Sequence, residues 1–269
     1  MLLCFGTNGC GQFGAPTTTS TKLNGERSEC THVSARVLSP KELDDHVPTA
    51  VSASPTCTAL VTDKGRCLCL GLSPLHTTAN FGRSIVAPIA KDIKFRLVAC
   101  GHAHILALSE RGELWGWGDN SCKQLGPTSA SRVMQPTGLR ELVPYKLIDI
   151  SAGKRHSIAL GDNGMAYSWG NNEYGQLGFG GKQPTVQTHE AASSGVDSAS
   201  HNSLGAANET ESALNSALKG KTLAHRIAVD EPVVSVAAGW EHSAFVTKTG
   251  AILTCGFGMY ACMRVLFST

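Results

Sequence analysis

Three stretches of this chain are built on one internal ruler. In 97–126, 148–178 and 234–258 a glycine (Gly101, Gly153, Gly239) stands three residues before a histidine (His104, His156, His242). Eight residues after each histidine comes Gly112, Gly164 or Gly250, and six residues further on Gly118, Gly170 or Gly256. Trp117, Trp169 and Cys255 immediately precede that last glycine. Gln124-Leu125-Gly126 and Gln176-Leu177-Gly178 close the first two units. A worn fourth copy, 51–71, keeps the offsets with Ser54 in the glycine place, Cys57 in the histidine place, then Gly65 and Gly71. The opening FGTNGCGQFG (5–14) has the form of the tail of a fifth copy. Successive copies begin 47, 52 and 86 residues apart. A period near 50 with one enlarged gap points to a blade-type array, not to the shorter helical solenoids.

Each unit has the pattern of paired strands. The third and fifth residues after the hairpin glycine are apolar every time: Trp115 and Trp117, Tyr167 and Trp169, Leu253 and Cys255, Leu68 and Leu70. Alternation with period two marks a strand with a buried face. The runs Ile105–Leu108 and Ala244–Val246 supply its partner, and Glu110-Arg111-Gly112, Asp162-Asn163-Gly164 and Thr249-Gly250 are the turns, where glycine accepts positive φ. A single unit leaves apolar area exposed, so the units must stack.

The set Gly-x-x-His, hairpin Gly, Trp-Gly-x-Asn and Gln-Leu-Gly resembles the regulator of chromosome condensation repeat family. Residues 169–178, WGNNEYGQLG, are its clearest instance here. The resemblance implies an all-β, seven-bladed β-propeller. It is similar in arrangement to a short subgroup, the regulator of chromosome condensation domain-containing proteins: an abrupt Phe-Gly strand (Leu3–Gly6), a worn second repeat (51–71) and a late polar insertion. Only about four to five blades are recognisable. The missing blades are too worn to see, or the ring is smaller or open, or the chain is a truncated product. An incomplete or truncated ring is the expectation. The expected division is blades in 1–181, a flexible polar insertion in a blade loop over 182–225, and a last, incomplete blade in 226–269.

The insertion is rich in Ser, Thr, Ala, Asn and Gly and lacks aromatic residues, so it cannot bury enough apolar area to offset its ordering entropy. Within it, Asn208-x-x-Glu211 ahead of Ala213, Leu214, Ala217 and Leu218 is a capping-box pattern, stopped by Gly220; a helix formed on binding a partner competes there with disorder throughout. Val33–Leu38 has the pattern of a strand ended by Pro40, Pro127, Pro136 and Pro144 mark connections, and 72–96 show no clear period. After Gly256 the repeat pattern fails in FGMYACMR.

The 269 residues, 42% apolar, suffice for one sizeable core, and no 18-residue apolar run suggests a membrane span. The N-terminus lacks the basic and long apolar regions of a secretory signal, so the expected location is cytoplasm, nucleus or both. A net charge of +2 without a dense basic tract offers little for phosphate neutralisation, and no direct nucleic-acid binding is expected. The ten cysteines include no Cys-x-x-Cys, and reduced buried thiols are the default.

The histidines of Gly-x-x-His invite a metal or catalytic assignment. Equivalent repeat positions fall on different blades, however, so structural roles are expected, each ring bonding backbone within its own blade. His102, two residues from His104, could add a second ligand only to a weak two-ligand metal site. No nucleophile elbow, phosphate loop or zinc-protease motif occurs, and no catalytic residue, cofactor or metal is expected. The residues expected to define the blade are Gly101, His104, Gly112, Trp117, Gly118, Gly153, His156, Gly164, Trp169, Gly170, Gln176, Gly178, Gly239, His242, Gly250 and Gly256. Candidate partner contacts are Lys154, Arg155, Trp240, Glu241 and the insertion. Gly239-Trp240-Glu241-His242-Ser243 resembles a motif of plant ultraviolet receptors, which use it repeatedly with Arg in the place of Glu241; its single occurrence here does not imply light sensing. The expected function is a non-catalytic protein-interaction platform, an adaptor in a nuclear or chromatin-linked complex. The alternative is guanine-nucleotide exchange on a small GTPase, which some relatives perform through wedge and acidic residues not matched here. The resemblance implies a protein partner, either a small GTPase or a Jumonji-type chromatin dioxygenase.

Overall fold

A computed structural model describes residues 2–7, 32–38, 47–71, 84–85, 93–127, 130–143, 145–178 and 224–257. The 208–220 capping pattern, the Gln12-x-Gly14 loop and the sequence beyond Phe257 lie outside these residues. So does the segment Gly180–Thr222, a unit separate from the one that carries the strands.

Among the described residues all regular structure is β. Strands β1 (Leu2–Thr7) and β2 (His32–Leu38) form a two-stranded antiparallel sheet. The first blade is β3 (Pro48–Ala53), β4 (Cys57–Thr62), β5 (Cys67–Gly71) and β6 (Ser84–Ile85). The second is β7 (Phe95–Cys100), β8 (His104–Ser109), β9 (Leu114–Asp119) and β10 (Arg132–Gly138). The third is β11 (Leu147–Ala152), β12 (His156–Gly161), β13 (Ala166–Gly170) and β14 (His225–Arg226). A fourth consists of β15 (Val233–Ala238), β16 (His242–Thr247) and β17 (Ile252–Gly256). Each sheet is an antiparallel meander in chain order, which is the blade architecture of an incomplete β-propeller.

The repeat ruler is also the pairing register. Cys57 faces Gly71, His104 faces Gly118, His156 faces Gly170 and His242 faces Gly256 across the second and third strands. Between the first and second strands a shift recurs at one place in all four blades, at Pro48/Ala50, Phe95/Leu97, Leu147/Asp149 and Val233/Ser235. A bulge at a fixed position adds twist to every blade in the same way, so that successive sheets can stack. Gly164, with φ +75°, makes the hairpin turn, and a side chain there would also meet Pro232 of the next blade.

The core lies between blades. Leu106 and Leu108 of the second blade pack on Ala159, Tyr167 and Trp169 of the third. Ile158 and Leu160 of the third pack on Val236 and Phe245 of the fourth. Alternate residues of one strand thus serve two interfaces, and β4, β8 and β12 are buried along both faces. Each fully buried Leu, Ile or Phe contributes about 1.5–3 kcal/mol. The hairpin-glycine carbonyls tie each blade to the following one: Phe95 N donates to Gly65 O (2.9 Å), Leu147 N to Gly112 O (3.1 Å) and Val233 N to Gly164 O (2.8 Å). The fourth blade differs. His242 and Thr254 are exposed, Val246 and Ile252 half-buried, and no further blade follows among the described residues.

One proline departs from expectation. Pro136 lies inside β10 instead of in a connection. That strand is the outer edge of its blade, and its pairing with β9 shifts between Val133 and Thr137, so the missing N–H interrupts no regular ladder. The unassigned stretch 72–96 contains β6 and the first residues of β7.

Candidate functional site

The motif residues gather at the end of the blades opposite the hairpin glycines. Asn120 and Asn172, which follow the Trp-Gly pairs, fold the next loop back on itself: their Oδ1 atoms accept from Leu125 N (2.8 Å) and Leu177 N (2.9 Å). The buried Gln124 and Gln176 side chains accept from Cys122 N and Tyr174 N, each at 2.9 Å. Their main-chain carbonyls consequently point at the following blade. Gln124 O receives Ser157 Oγ–H and Trp169 Nε1–H, both at 2.8 Å, using its two lone pairs. Gln176 O receives Ser243 Oγ–H (2.7 Å) and Cys255 Sγ–H (3.4 Å).

The histidines complete this latch, and here the expected bond to backbone within the blade is incorrect. His104 Nε2 lies 3.0 Å from Ser157 Oγ and His156 Nε2 3.0 Å from Ser243 Oγ, both in the next blade. The serine proton is committed to the glutamine carbonyl, so each Nε2 is the donor and each ring the neutral Nε2–H tautomer. Their Nδ1 atoms have no partner among the described residues. Burial pushes His104 down to about 3 and His156 down to about 4, away from the charged form. His242 has the same sequence context but stands exposed. Ser157 and Ser243 were not anticipated; the signal was a serine directly after His156 and His242, absent after His104.

The ring explains the glycine three residues before it. A Cβ on Gly101, Gly153 or Gly239 would overlap Cε1 of the following histidine. In the worn blade the small Cys57 needs no such room, and Ser54 is accommodated, its Oγ accepting from Cys57 N at 3.2 Å. Gly170 (φ +107°) is required for a second reason, because a Cβ there would lie 2.6 Å from Arg155 O and 2.9 Å from His156 Cα. Gly118 and Gly256 share its positive φ, as do Gly112, Gly178 and Gly250 in their turns. Trp117 is fully buried like Trp169, but its Nε1 has no partner among the described residues.

The loops joining first to second strands bring the candidate contact residues together. His102, Lys154 and Trp240 hold equivalent positions in three successive blades and converge on a central cavity of about 390 Å³, lined by the first strands of all four blades. The His102 and Trp240 rings meet edge to face at 5.0 Å, and Lys154 Nζ stands 5.5 Å from the Trp240 ring centre. The same ammonium pairs with Glu241 Oε1 at 2.7 Å, and Gln176 Nε2 donates to Glu241 Oε2 at 3.4 Å. Lys154 is therefore neutralised within the cluster, while Arg155 stays exposed beside it. Trp240 keeps 46% of its surface exposed and is backed on two sides by this network. His102 Nδ1 is buried without a partner among the described residues.

This arrangement presents an aromatic and charged surface at the mouth of the cavity. His104 and His156 serve blade interfaces, and among the described residues no three His, Cys, Asp or Glu side chains are placed to hold a metal ion. No helix among them is long and apolar enough to cross a membrane.

Stacked four-stranded meanders, inter-blade latches and a loop cluster over the axis define a propeller-type repeat protein. Models described as the regulator of chromosome condensation (RCC1) repeat match residues 95–124, 147–176 and 233–258, and a further one 111–160 and 163–190. The chain thus carries repeats of the regulator of chromosome condensation type. Among curated relatives, human probable E3 ubiquitin-protein ligase HERC6 is 40% identical over 110 residues, covering 39% of this chain and 10% of that protein. RCC1 domain-containing protein 1 of Mus musculus is 28% identical over 176 residues, covering 64% of this chain and 46% of the relative. The chain thus spans less than half the length of either. Among solved structures, human WBSCR16 superposes with a TM-score of 0.66 at 19% identity, over 94% of this chain and 56% of that one. Prp20p from Saccharomyces cerevisiae, described with its binding properties to Gsp1p and histones, gives 0.63 at 21%, over 94% and 52%. These two likenesses establish the fold.

Proposed function

We propose that the chain is a non-catalytic protein-interaction platform whose partner seats on the loop cluster formed by His102, Lys154, Arg155, Trp240 and Glu241. The observation that carries this reading is Trp240: large, aromatic, half exposed and held by His102 and Lys154 at the mouth of the central cavity. Aromatic and arginine side chains on a pre-organised surface are the usual energetic anchors of protein interfaces. The repeat residues Gly153, His156, Gly164, Trp169, Gly170, Gln176 and Gly178 act as scaffold, and the polar stretch 182–225 is an insertion in a blade loop whose last residue, His225, already belongs to β14. An adaptor role in a nuclear or chromatin-linked complex, in nucleus or cytoplasm, follows from the family resemblance. A small GTPase and a Jumonji-type chromatin dioxygenase are the partner classes to test first.

The test immobilises the chain and measures association of a panel of small GTPases and of such dioxygenases, with nucleotide release followed in parallel. The platform reading expects a stable complex without accelerated release, weakened at least about tenfold by Trp240→Ala at unchanged melting temperature. Accelerated nucleotide release would establish the exchange-factor alternative instead. Partner binding indifferent to Trp240→Ala and Arg155→Ala would displace the site from this cluster.

A further inference from the structure

We propose that Cys57 and Cys100 form an oxidation site, at which a peroxide entering the central cavity joins the two thiols in a disulfide that ties the first blade to the second. The inference rests on the one complete blade interface that departs from the repeat. Between the second and third blades, and again between the third and fourth, a buried histidine meets a serine. Between the first and second, Cys57 holds the histidine place and Ile105 the serine place, so no such latch can form. Thiols fill the gap instead. Cys57, Cys67 and Cys69 of the first blade and Cys100 of the second belong to one buried cluster, and all four are free.

The geometry sorts the four. Cys57, Cys69 and Cys100 pack together in that cluster. Cys57 and Cys69 lie on adjacent strands of one sheet but are two residues out of register, since Cys57 faces Gly71 and Cys69 faces Ala59. Such diagonal neighbours stand about 7–8 Å apart at Cα, beyond the roughly 4.4–6.8 Å usual for a disulfide. Cys100 comes from the opposing blade without that constraint. It also borders the central cavity, together with Ser52 and Ser54. These serines hold both thiols: Cys100 Sγ donates to Ser52 O at 3.5 Å, and Ser54 Oγ lies 3.4 Å from Cys57 Sγ. Cys57 is 1% and Cys100 8% exposed, so access is limited to small oxidants.

The cluster is chemically asymmetric. Contacts with Cys100 and Cys69, and the bond to Ser54, draw the Cys57 thiol below its ordinary range, while contact with Cys57 and burial push Cys69 and Cys100 up. In this scheme Cys57 attacks as its thiolate and Cys100, which borders the cavity, is the resolving thiol. The Cys57 thiolate attacks one oxygen of hydrogen peroxide: the S–O bond forms, the O–O bond breaks, and hydroxide leaves, taking up the proton that Cys57 had lost. Cys100 sulfur then attacks the Cys57 sulfenic acid. The S–S bond forms, the S–O bond breaks, and the hydroxyl departs as water with the Cys100 proton. Two thiols are oxidised, one peroxide is reduced, and two waters are released.

Tryptic mapping of the full chain tests this directly, because Cys57, the Cys67/Cys69 pair and Cys100 fall on separate peptides, 42–64, 67–83 and 97–111. The folded, fully reduced chain is treated with hydrogen peroxide, alkylated and digested without reductant. The expected product is 42–64 joined to 97–111, two hydrogens lighter than the sum and absent after thiol treatment. In Cys100→Ser, dimedone should label Cys57 as a trapped sulfenic acid. Linkage of 42–64 to 67–83, or Cys57 and Cys100 both still alkylated while the half-buried Cys122 is oxidised, would overturn the proposal. The wild-type map decides the matter even if the variant fails to fold.

Discussion

Substituting His156 by alanine, beside the same change at His242, separates sequence pattern from structure. Both residues stand in Gly-x-x-His-Ser, yet His156 is fully buried between blades and His242 is exposed. In His156→Ala the 3.0 Å bond to Ser243 is lost, at about 1 kcal/mol. Ser243 retains Gln176 O, so no hydroxyl is orphaned. The ring also vacates a site whose opposite wall is Gly153, which has no side chain to collapse into it. By comparison with large-to-small core substitutions, transfer and cavity terms add about 2–3 kcal/mol. The sum, about 3–4 kcal/mol, corresponds to a melting-temperature decrease of about 6–16 °C for a chain of this size. His242→Ala should remain within about 0.5 kcal/mol, as for a surface change. Differential scanning fluorimetry with urea titration measures both, and Ser243→Ala combined with His156→Ala should show a coupling of about 1 kcal/mol. If the two histidine variants melt together, or if His156→Ala shifts the midpoint by less than about 2 °C, the latch does not hold the blades and the reasoning fails.

Acid should loosen the same interfaces. Both histidines have folded pKa values below the unfolded one, His104 at about 3 and His156 at about 4, so the unfolded chain binds their protons first. Their contribution is fully present above about pH 6.5 and falls as pH drops toward 4, by up to about 1.4 kcal/mol per pH unit for each ring. Urea midpoints recorded from pH 7 to 4.5 should show this slope, and His156→Gln should roughly halve it; an unchanged slope would place the titrating groups elsewhere. Gly153→Ala should destabilise by about 1–3 kcal/mol, because its Cβ would strike the His156 ring and lie 2.6 Å from Gly239 O, whereas Ser54→Gly should cost no more than about 1 kcal/mol. Thermal melts of the two variants check the pair.

Much of the blade was legible because its constraints are local. Period-two alternation and hairpin glycines locate β8, β9, β12 and β13 closely, since turn and strand chemistry act over a few residues. The outer strands were not legible: β6 is only Ser84–Ile85, and β10 contains Pro136, tolerated because an edge strand need not donate along its whole length. Lys154, Arg155, Trp240 and Glu241 stood out as candidate contacts, but their association with one another and with His102 did not. That grouping depends on loops 50 to 140 residues apart meeting over one axis.

The chain by itself determined the repeat: which residues turn, which alternate, and which glycines must lack a side chain. Those demands are met within about 50 residues and recur wherever the same residues recur. Only the tertiary structure decided what each copy does. His104 and His156 became buried, neutral donors because another blade covers them, and His242 did not because none does among the described residues. Cys57 met Cys100 instead of a serine because the neighbouring blade carries Ile105 in the serine place. A ruler in sequence sets equivalent positions; burial and partner identity belong to the adjacent blade, which the local pattern does not encode.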